Sequence, residues 1–324
     1  MSYGISRRAF VKGSFWAAAG GALVWQENGH PAPAQGVVNE AANLSRLAAK
    51  AGTLPKGKIG HLEISRLILG GNLLTHYTHS RDLKYVYSLA AHYNTDEKIM
   101  ETLALAEAHG INCVCMHNPP HPMSVLRRYR QERGGKIRWI ICPTAEVKPD
   151  LDEYRRQVEE LVKDGCEAIY LWGVRADALA GEKKFDLMAK AVAVPRQEFG
   201  VPSGVGGHKL EVVKACEAHD VNPDFYIKTF HHSSYPSAKM DYDCSWCDNP
   251  EEVAEFMQTV KQPWIAFKVM AAGAIPPGNA FRHAFKNGAD HILAGMFDFE
   301  VAEDERIARE ALAAIENRKR PWRS

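Results

Sequence analysis

The chain carries almost no net charge. Forty Lys and Arg residues balance 39 Asp and Glu, leaving +1 over 324 residues. That excludes the basic footprint of a nucleic-acid-binding protein and gives no pull toward an anionic membrane. Long apolar runs are also missing. The stretch from Gly13 to Trp25 is interrupted by Gly20 and Gly21 and is too short for a comfortable membrane span. Cysteine is sparse and odd in number, seven in all, which does not suggest a disulfide scaffold. Cys244 and Cys247 are the one close pair in an unusual setting, and without a second C-x-x-C a four-cysteine zinc site is excluded. No low-complexity tract or short repeat competes with a globular reading.

What is present is ordinary for a globular protein, 46% hydrophobic and 24% charged, with ample length for one large core. At the N-terminus, Ser6-Arg7-Arg8-Ala9-Phe10-Val11-Lys12 matches the twin-arginine pattern, and Ala32-Pro33-Ala34 is an A-x-A-like cleavage site. The expectation is a signal peptide over 1–34 that engages the twin-arginine export machinery. The mature protein is then exported, for example to the periplasm, with no stable membrane span after cleavage. Residues 35–60 read as a linker, 61–318 as one folded domain and 319–324 as a C-terminal tail.

Within that domain, short β-rich runs alternate with longer helical ones. The runs are Ile64 to Leu69, Ile111 to Met116, Ile137 to Cys142, Ala168 to Trp172, 201–205, Phe225 to Lys228, Trp264 to Lys268 and His291 to Ala294. Thr95-Asp96-Glu97 opens one helix with an N-cap and early acids. Eight strands alternating with helices predict an α/β fold, a single closed (β/α)8 TIM barrel. Two strand-to-helix connections are long, 70–94 after strand one and 229–248 after strand six. Both leave C-terminal strand ends, where this fold builds its active site.

Several fragments resemble aldo/keto reductases. Leu62 to Gly71 is similar to that family's opening strand, Glu107-Ala108-His109-Gly110-Ile111-Asn112 to its second-strand entry, and Ala272-Gly273-Ala274-Ile275 to its seventh loop. Ala294-Gly295-Met296 is similar to its last strand and cofactor-side turn, so the fragments spread over roughly 62–315. The resemblance implies a barrel enzyme using NADP, with Gly273, Gly295 and Met296 on the cofactor side. It also implies a catalytic Asp, Tyr, Lys and His, and here the chain departs from the pattern. The Asp and Tyr positions fall in Cys115-Met116-His117-Asn118-Pro119-Pro120, the Lys position in Cys142-Pro143-Thr144 and the His position in Trp172-Gly173. Hydride transfer to a carbonyl needs a proton donor, and nothing at these positions supplies it in the family's way. Glu305 stands about where the family commonly has an Asn beside the nucleotide, and its charge does not favour a phosphate-bearing cofactor.

The presumed active face is instead rich in histidine. His76 and His79 follow strand one, His117 and His121 strand two, His208 strand five, and His231 and His232 strand six. Imidazole ligates metals and exchanges protons near neutral pH. The bland reading of each is a solvated or backbone-bonded loop histidine. Neighbouring side chains in an extended segment diverge, so His231 and His232 cannot easily ligate one ion together. Three functional readings stay open. The first is an exported enzyme with histidine acid/base chemistry, open to a divalent metal, acting by isomerisation, elimination or hydrolysis on a small hydroxyl- or carbonyl-bearing, carbohydrate-derived substrate. Its catalytic candidates are His117, His208 and His231, with Lys268 as electrostatic stabiliser. Asn72, His76, Asn118, Glu146, Trp172 and Lys228 are its substrate-binding candidates. The second is an NADP-dependent oxidoreductase with a replaced proton donor, and the third a non-catalytic ligand-binding barrel. Cys244-x-x-Cys247 is open between metal half-site, redox pair and loop disulfide.

Overall fold

The computed structural model describes residues 53–238 and 243–324. The twin-arginine segment and residues 35–52 of the expected linker lie outside the described residues. The described part opens with an antiparallel hairpin, β1 (Lys56–Ile59) and β2 (Leu62–Ser65). The first barrel strand, β3 (Leu67–Gly70), follows, then α1 (Lys84–Tyr93) and α2 (Asp96–Ala108). Next come β4 (Cys113–His117), α3 (Pro120–Arg133), β5 (Arg138–Cys142) and α4 (Asp152–Lys163). After them run β6 (Ala168–Leu171), α5 (Gly173–Gly181), α6 (Phe185–Phe199), β7 (Ser203–Gly207) and α7 (Leu210–Ala218). The series ends with β8 (Phe225–Thr229), α8 (Pro250–Thr259), β9 (Trp264–Phe267), α9 (Pro277–Lys286), β10 (His291–Ala294) and α10 (Val301–Ala313). Strands β3 to β10 close into an all-parallel barrel, so the expected (β/α)8 architecture is the one found. Among the described residues, no helix is long and apolar enough to cross a membrane.

Three expectations need correction. The predicted strand Ile64 to Leu69 is two strands broken at Arg66. Its N–H donates to Pro55 O at 2.9 Å while its carbonyl accepts from Ile292 N at 2.9 Å, so one residue joins the hairpin to the barrel seam. The end of the expected linker is therefore β1, structured by that pairing. The C-terminal tail is also no free tail, because Arg320 is wholly buried. Finally, the sequence pattern marks neither α1, which occupies Lys84–Tyr93 of the long 70–94 connection, nor α5, which follows β6 directly.

Strand alternation sorts the core. Cys113 and Cys115 with Ile140 and Cys142 point into the barrel, joined there by Ile68, Ile227, Ile265 and by Ile59 and Ile64 of the hairpin, which plugs the bottom. Val114, Met116, Trp139 and Ile141 point outward to the helices. The strand cysteines are thus small apolar wedges in a crowded interior, and all seven cysteines are unpaired. Glycine admits the close approaches that the barrel needs. A Cβ on Gly206 would stand 2.9 Å from the backbone N of Gly173, at the start of α5.

The seam between the first and last strands is locked from below. Asp290, fully buried, accepts from Trp264 N at 2.9 Å and from Arg320 Nη1 at 2.5 Å. Arg318 Nη2 reaches its other oxygen at 3.3 Å, and Arg66 Nη1 donates to its backbone carbonyl at 2.9 Å. Arg320 also donates to the carbonyls of Val260, Gln262 and Gly288, which satisfies its remaining N–H groups. Removing one partner of a buried pair strands the other charge. The Asp290→Ala variant is therefore expected to lose about 3–5 kcal/mol of stability, lowering the melting midpoint by roughly 6–15 °C. Calorimetry checks this, and an unchanged midpoint refutes the role given to the tail.

Candidate active site

A cavity of about 660 Å³ opens at the C-terminal ends of the strands. That is the size of a small-molecule site and the face where this fold places one. Its floor is apolar, with Cys115, Tyr170, Ile227, Phe267 and Leu293. The Tyr170 hydroxyl lies between the thiols of Cys115 and Cys142, and burial pushes the phenol well above its usual range, so it stays protonated.

The best-organised group is His208, just past β7. Its Nδ1 is 2.6 Å from Asp177 Oδ2, and its own backbone N–H donates to the same carboxylate at 3.1 Å. Lys209 N donates to Asp177 Oδ1 at 3.1 Å. A carboxylate only accepts, so Nδ1 carries the proton and Nε2 is the ring nitrogen left for the cavity. Asp177 stands on α5, whose close approach to β7 is the one that Gly206 permits. Beneath, Lys228 Nζ donates to the carbonyl of His208 at 2.6 Å and to that of Thr229 at 2.8 Å. Burial lowers the Lys228 pKa. Asp177 thus holds the imidazole, while Lys228 fixes the main chain that carries it.

His117 lines the opposite wall, its ring nearly parallel to Trp172 with centroids 6.1 Å apart, and Tyr77 meets it edge-on at 5.4 Å. Burial lowers its pKa and keeps the ring neutral. Lys268 enters just past β9, between β8 and β10, with Nζ 3.3 Å from Ser245 O and 5.5 Å from the Phe267 and Trp246 rings. Its backbone is left-handed, with φ 57°, as are those of Ala271 and Ala272 at 48° and 56°. Three such non-glycine residues within five positions cost on the order of 1 kcal/mol each and mark a loop held by its surroundings.

Of the sequence candidates, Asn72, His117, Trp172, His208, Lys268, Gly273 and Gly295 line this cavity. The others have different work. His231, fully inside the loop after β8, donates from Nδ1 to His232 O at 3.0 Å and accepts on Nε2 from Cys247 N at 3.0 Å. It is a clamp on the 229–248 connection, and burial drives its pKa down to about 4. His76 donates to Asn94 O at 2.8 Å. Asn118 accepts from Thr144 N at 2.9 Å, tying two strand ends together. Glu146 lines a separate surface groove with Arg175. Lys228 positions His208 from below, and Met296 is buried in the core outside the cavity lining. Nothing in the sequence marks Asp177 for this role. Its partnership with His208 depends on two strand ends meeting in space, for which spacing along the chain holds no signal.

The cavity near β10 is acidic. Glu300 and Asp304 line it, whereas Glu305, the residue singled out from sequence, is buried and paired with Arg309 at 3.1 Å. Among the described residues no arginine lines the cavity; of its two lysines, Lys209 follows β7 and Lys268 follows β9, the neighbour of β10. The Glu300 carboxylate does not favour a phosphate group beside it, whereas Lys268 on the neighbouring strand end does.

Fold and site together define a single (β/α)8 barrel with an oriented His–Asp pair over its axis. In fold, the chain is aldo/keto-reductase-like. A Pseudomonas aeruginosa protein assigned to the aldo-keto reductases superposes with TM-score 0.55 at 18% identity, covering 82% of this chain and 98% of that one. A mutant of Gox0644 in complex with NADPH gives TM-score 0.54 at 13% identity, over 80% and 88% of the two chains. An aldo/keto reductase from Brucella melitensis gives 0.51 at 11% identity, over 79% and 93%. No protein-family model and no curated protein sequence matches the chain.

Burial and the charges of Glu300 and Glu303 push the Asp304 carboxyl up to about 7. The folded state therefore keeps a proton that the unfolded chain releases near pH 4, and stability falls as pH rises from about 4 to 7. Asp304→Asn removes that penalty. It is expected to add roughly 2 kcal/mol at pH 8 and almost nothing at pH 4.5, read from thermal midpoints at the two pH values. Equal midpoints for variant and parent at pH 8 would overturn the assignment.

Proposed function

We propose that this barrel is an enzyme in which His208, oriented by Asp177, exchanges a proton with a small carbonyl- or hydroxyl-bearing substrate. The observation that carries this is the His208–Asp177 bond at 2.6 Å on the wall of the cavity. Held with Nδ1 protonated, His208 presents a basic Nε2, the arrangement a general base needs. Lys268, on the same side, supplies positive charge where an oxyanion or enolate would develop. Trp172 and His117 offer flat faces against which a ring or a polyhydroxylated chain rests. Isomerisation or elimination beside a carbonyl uses all of these groups and asks for no nucleotide.

The likeness in fold to aldo/keto reductases supports an enzyme and leaves a second reading in view. In that reading the same His208 acts as proton donor in a hydride transfer. Glu300, on the cavity wall beside the last strand, counts against it.

The test is solvent exchange. Aldoses, ketoses and hydroxy acids are incubated with the protein in deuterium oxide, and the carbon beside the carbonyl is followed by proton NMR. Catalysed deuterium incorporation is expected for at least one compound. His208→Asn should slow it by about 10²-fold or more, and Asp177→Asn by roughly tenfold or more. Full exchange in His208→Asn refutes the assignment. Stoichiometric NADPH oxidation with a carbonyl substrate, and no exchange, selects the second reading instead.

A further inference from the structure

The two long connections, 70–94 and 229–248, meet at the cavity mouth, and where they meet they bring together three metal-ligating side chains of different kinds. His79, Asp243 and Cys244 place their ligand atoms within 4.8 Å of one another. All three line the cavity. Asp243 is anchored through Oδ2, which accepts from Ser80 N at 2.7 Å and from Arg81 N at 2.9 Å. Its Oδ1 is thereby aimed at His79 Nδ1, 3.7 Å away, too far for a hydrogen bond. His79 is fixed by ring contacts to Tyr77 at 5.6 Å and to Trp246 at 6.4 Å.

From this geometry we infer a mononuclear zinc site with His79 Nδ1, Asp243 Oδ1 and Cys244 Sγ as its three protein ligands and its fourth position facing the cavity. A tetrahedral ion with bonds of about 2.0–2.3 Å sets its ligands roughly 3.4–3.8 Å apart. The His–Asp separation falls within that spacing, and the Cys244 sulfur lies within 4.8 Å of both partners. Imidazole, carboxylate and thiolate together suit zinc better than magnesium or calcium, which select oxygen donors. Three protein ligands with one open position is the pattern of a reactive rather than a structural zinc. The two backbone amides on Asp243 Oδ2 serve as the outer partners that orient a ligating carboxylate. The assignment also gives Cys244 a role apart from Cys247, which lies buried against the His231 clamp.

Lys268 supplies a sign to check. Its positive charge acts on both Cys244 and His79. A positive charge beside a cation site weakens binding, so removing it should tighten the site.

The probe is zinc alone, added in one equivalent to chelator-stripped protein under a thiol reductant, with cobalt as the spectroscopic substitute. About one ion per chain is expected after gel filtration. The cobalt form should show a thiolate-to-cobalt charge-transfer band that Cys244→Ser abolishes. Asp243→Asn and His79→Gln should each weaken zinc at least tenfold, and Lys268→Met should strengthen it about threefold or more. Less than a tenth of an ion per chain overturns the proposal, and so does a charge-transfer band that persists in Cys244→Ser. If Cys244→Ser fails to fold, the band in the parent protein and the Asp243→Asn affinity decide in the same way. The site stands apart from the acid/base assignment: His208→Asn should lose exchange activity with zinc stoichiometry unchanged, so either claim can fail without the other.

Discussion

A parallel barrel exists only if its first and last strands meet, and in this chain that closure hangs on one buried carboxylate. Asp290 sits at the start of β10, bonded to the backbone of β9 and to two arginines of the C-terminal segment, while Arg66 at the start of β3 holds its carbonyl. Because a buried charge must be matched, the tail is drawn under the barrel and the seam cannot slip without exposing unpaired arginines. Everything at the other end follows from this closure. It sets the ring of strand ends from which His117, Trp172, His208 and Lys268 reach a common cavity.

Above that ring, precision comes from backbone contacts more than from the reactive groups themselves. Lys228 and Asp177 both bond to the main chain of His208, one from below and one from the side. His231 bonds only to main chain, fixing the loop that carries Cys244 and Trp246. Residues that looked chemical in isolation are thus partly scaffold for the few that face the cavity. A site of this kind can change its chemistry while its barrel stays the same. The retained resemblance to aldo/keto reductases at β3, β4 and β10, beside replaced groups after β4, β5 and β6, fits that account.

The barrel was legible because alternation of strands and helices is written along the chain. All eight barrel strands were found, with β3 blurred into β2, since nothing in Ile64-Ser65-Arg66-Leu67 marks the bend at Arg66. The buried tail was not legible, because Lys319 to Ser324 is polar and its partner Asp290 is about 30 residues away. His117, His208 and Lys268 could be named from their places just past strand ends. The role of Asp177, the duty of His231 as a clamp and the meeting of His79 with Asp243 depend on contacts 16 to 164 residues apart, which no local pattern encodes.

The central claim is that His208 is a held imidazole with Nδ1 protonated and Nε2 presented to the cavity. Long-range proton–nitrogen correlation of ¹⁵N-histidine-labelled protein reads this directly. The account predicts a single His208 tautomer with the proton on Nδ1 and a downfield proton resonance that Asp177→Asn removes. A His208 signal averaged between both tautomers, or one unchanged by Asp177→Asn, would contradict it.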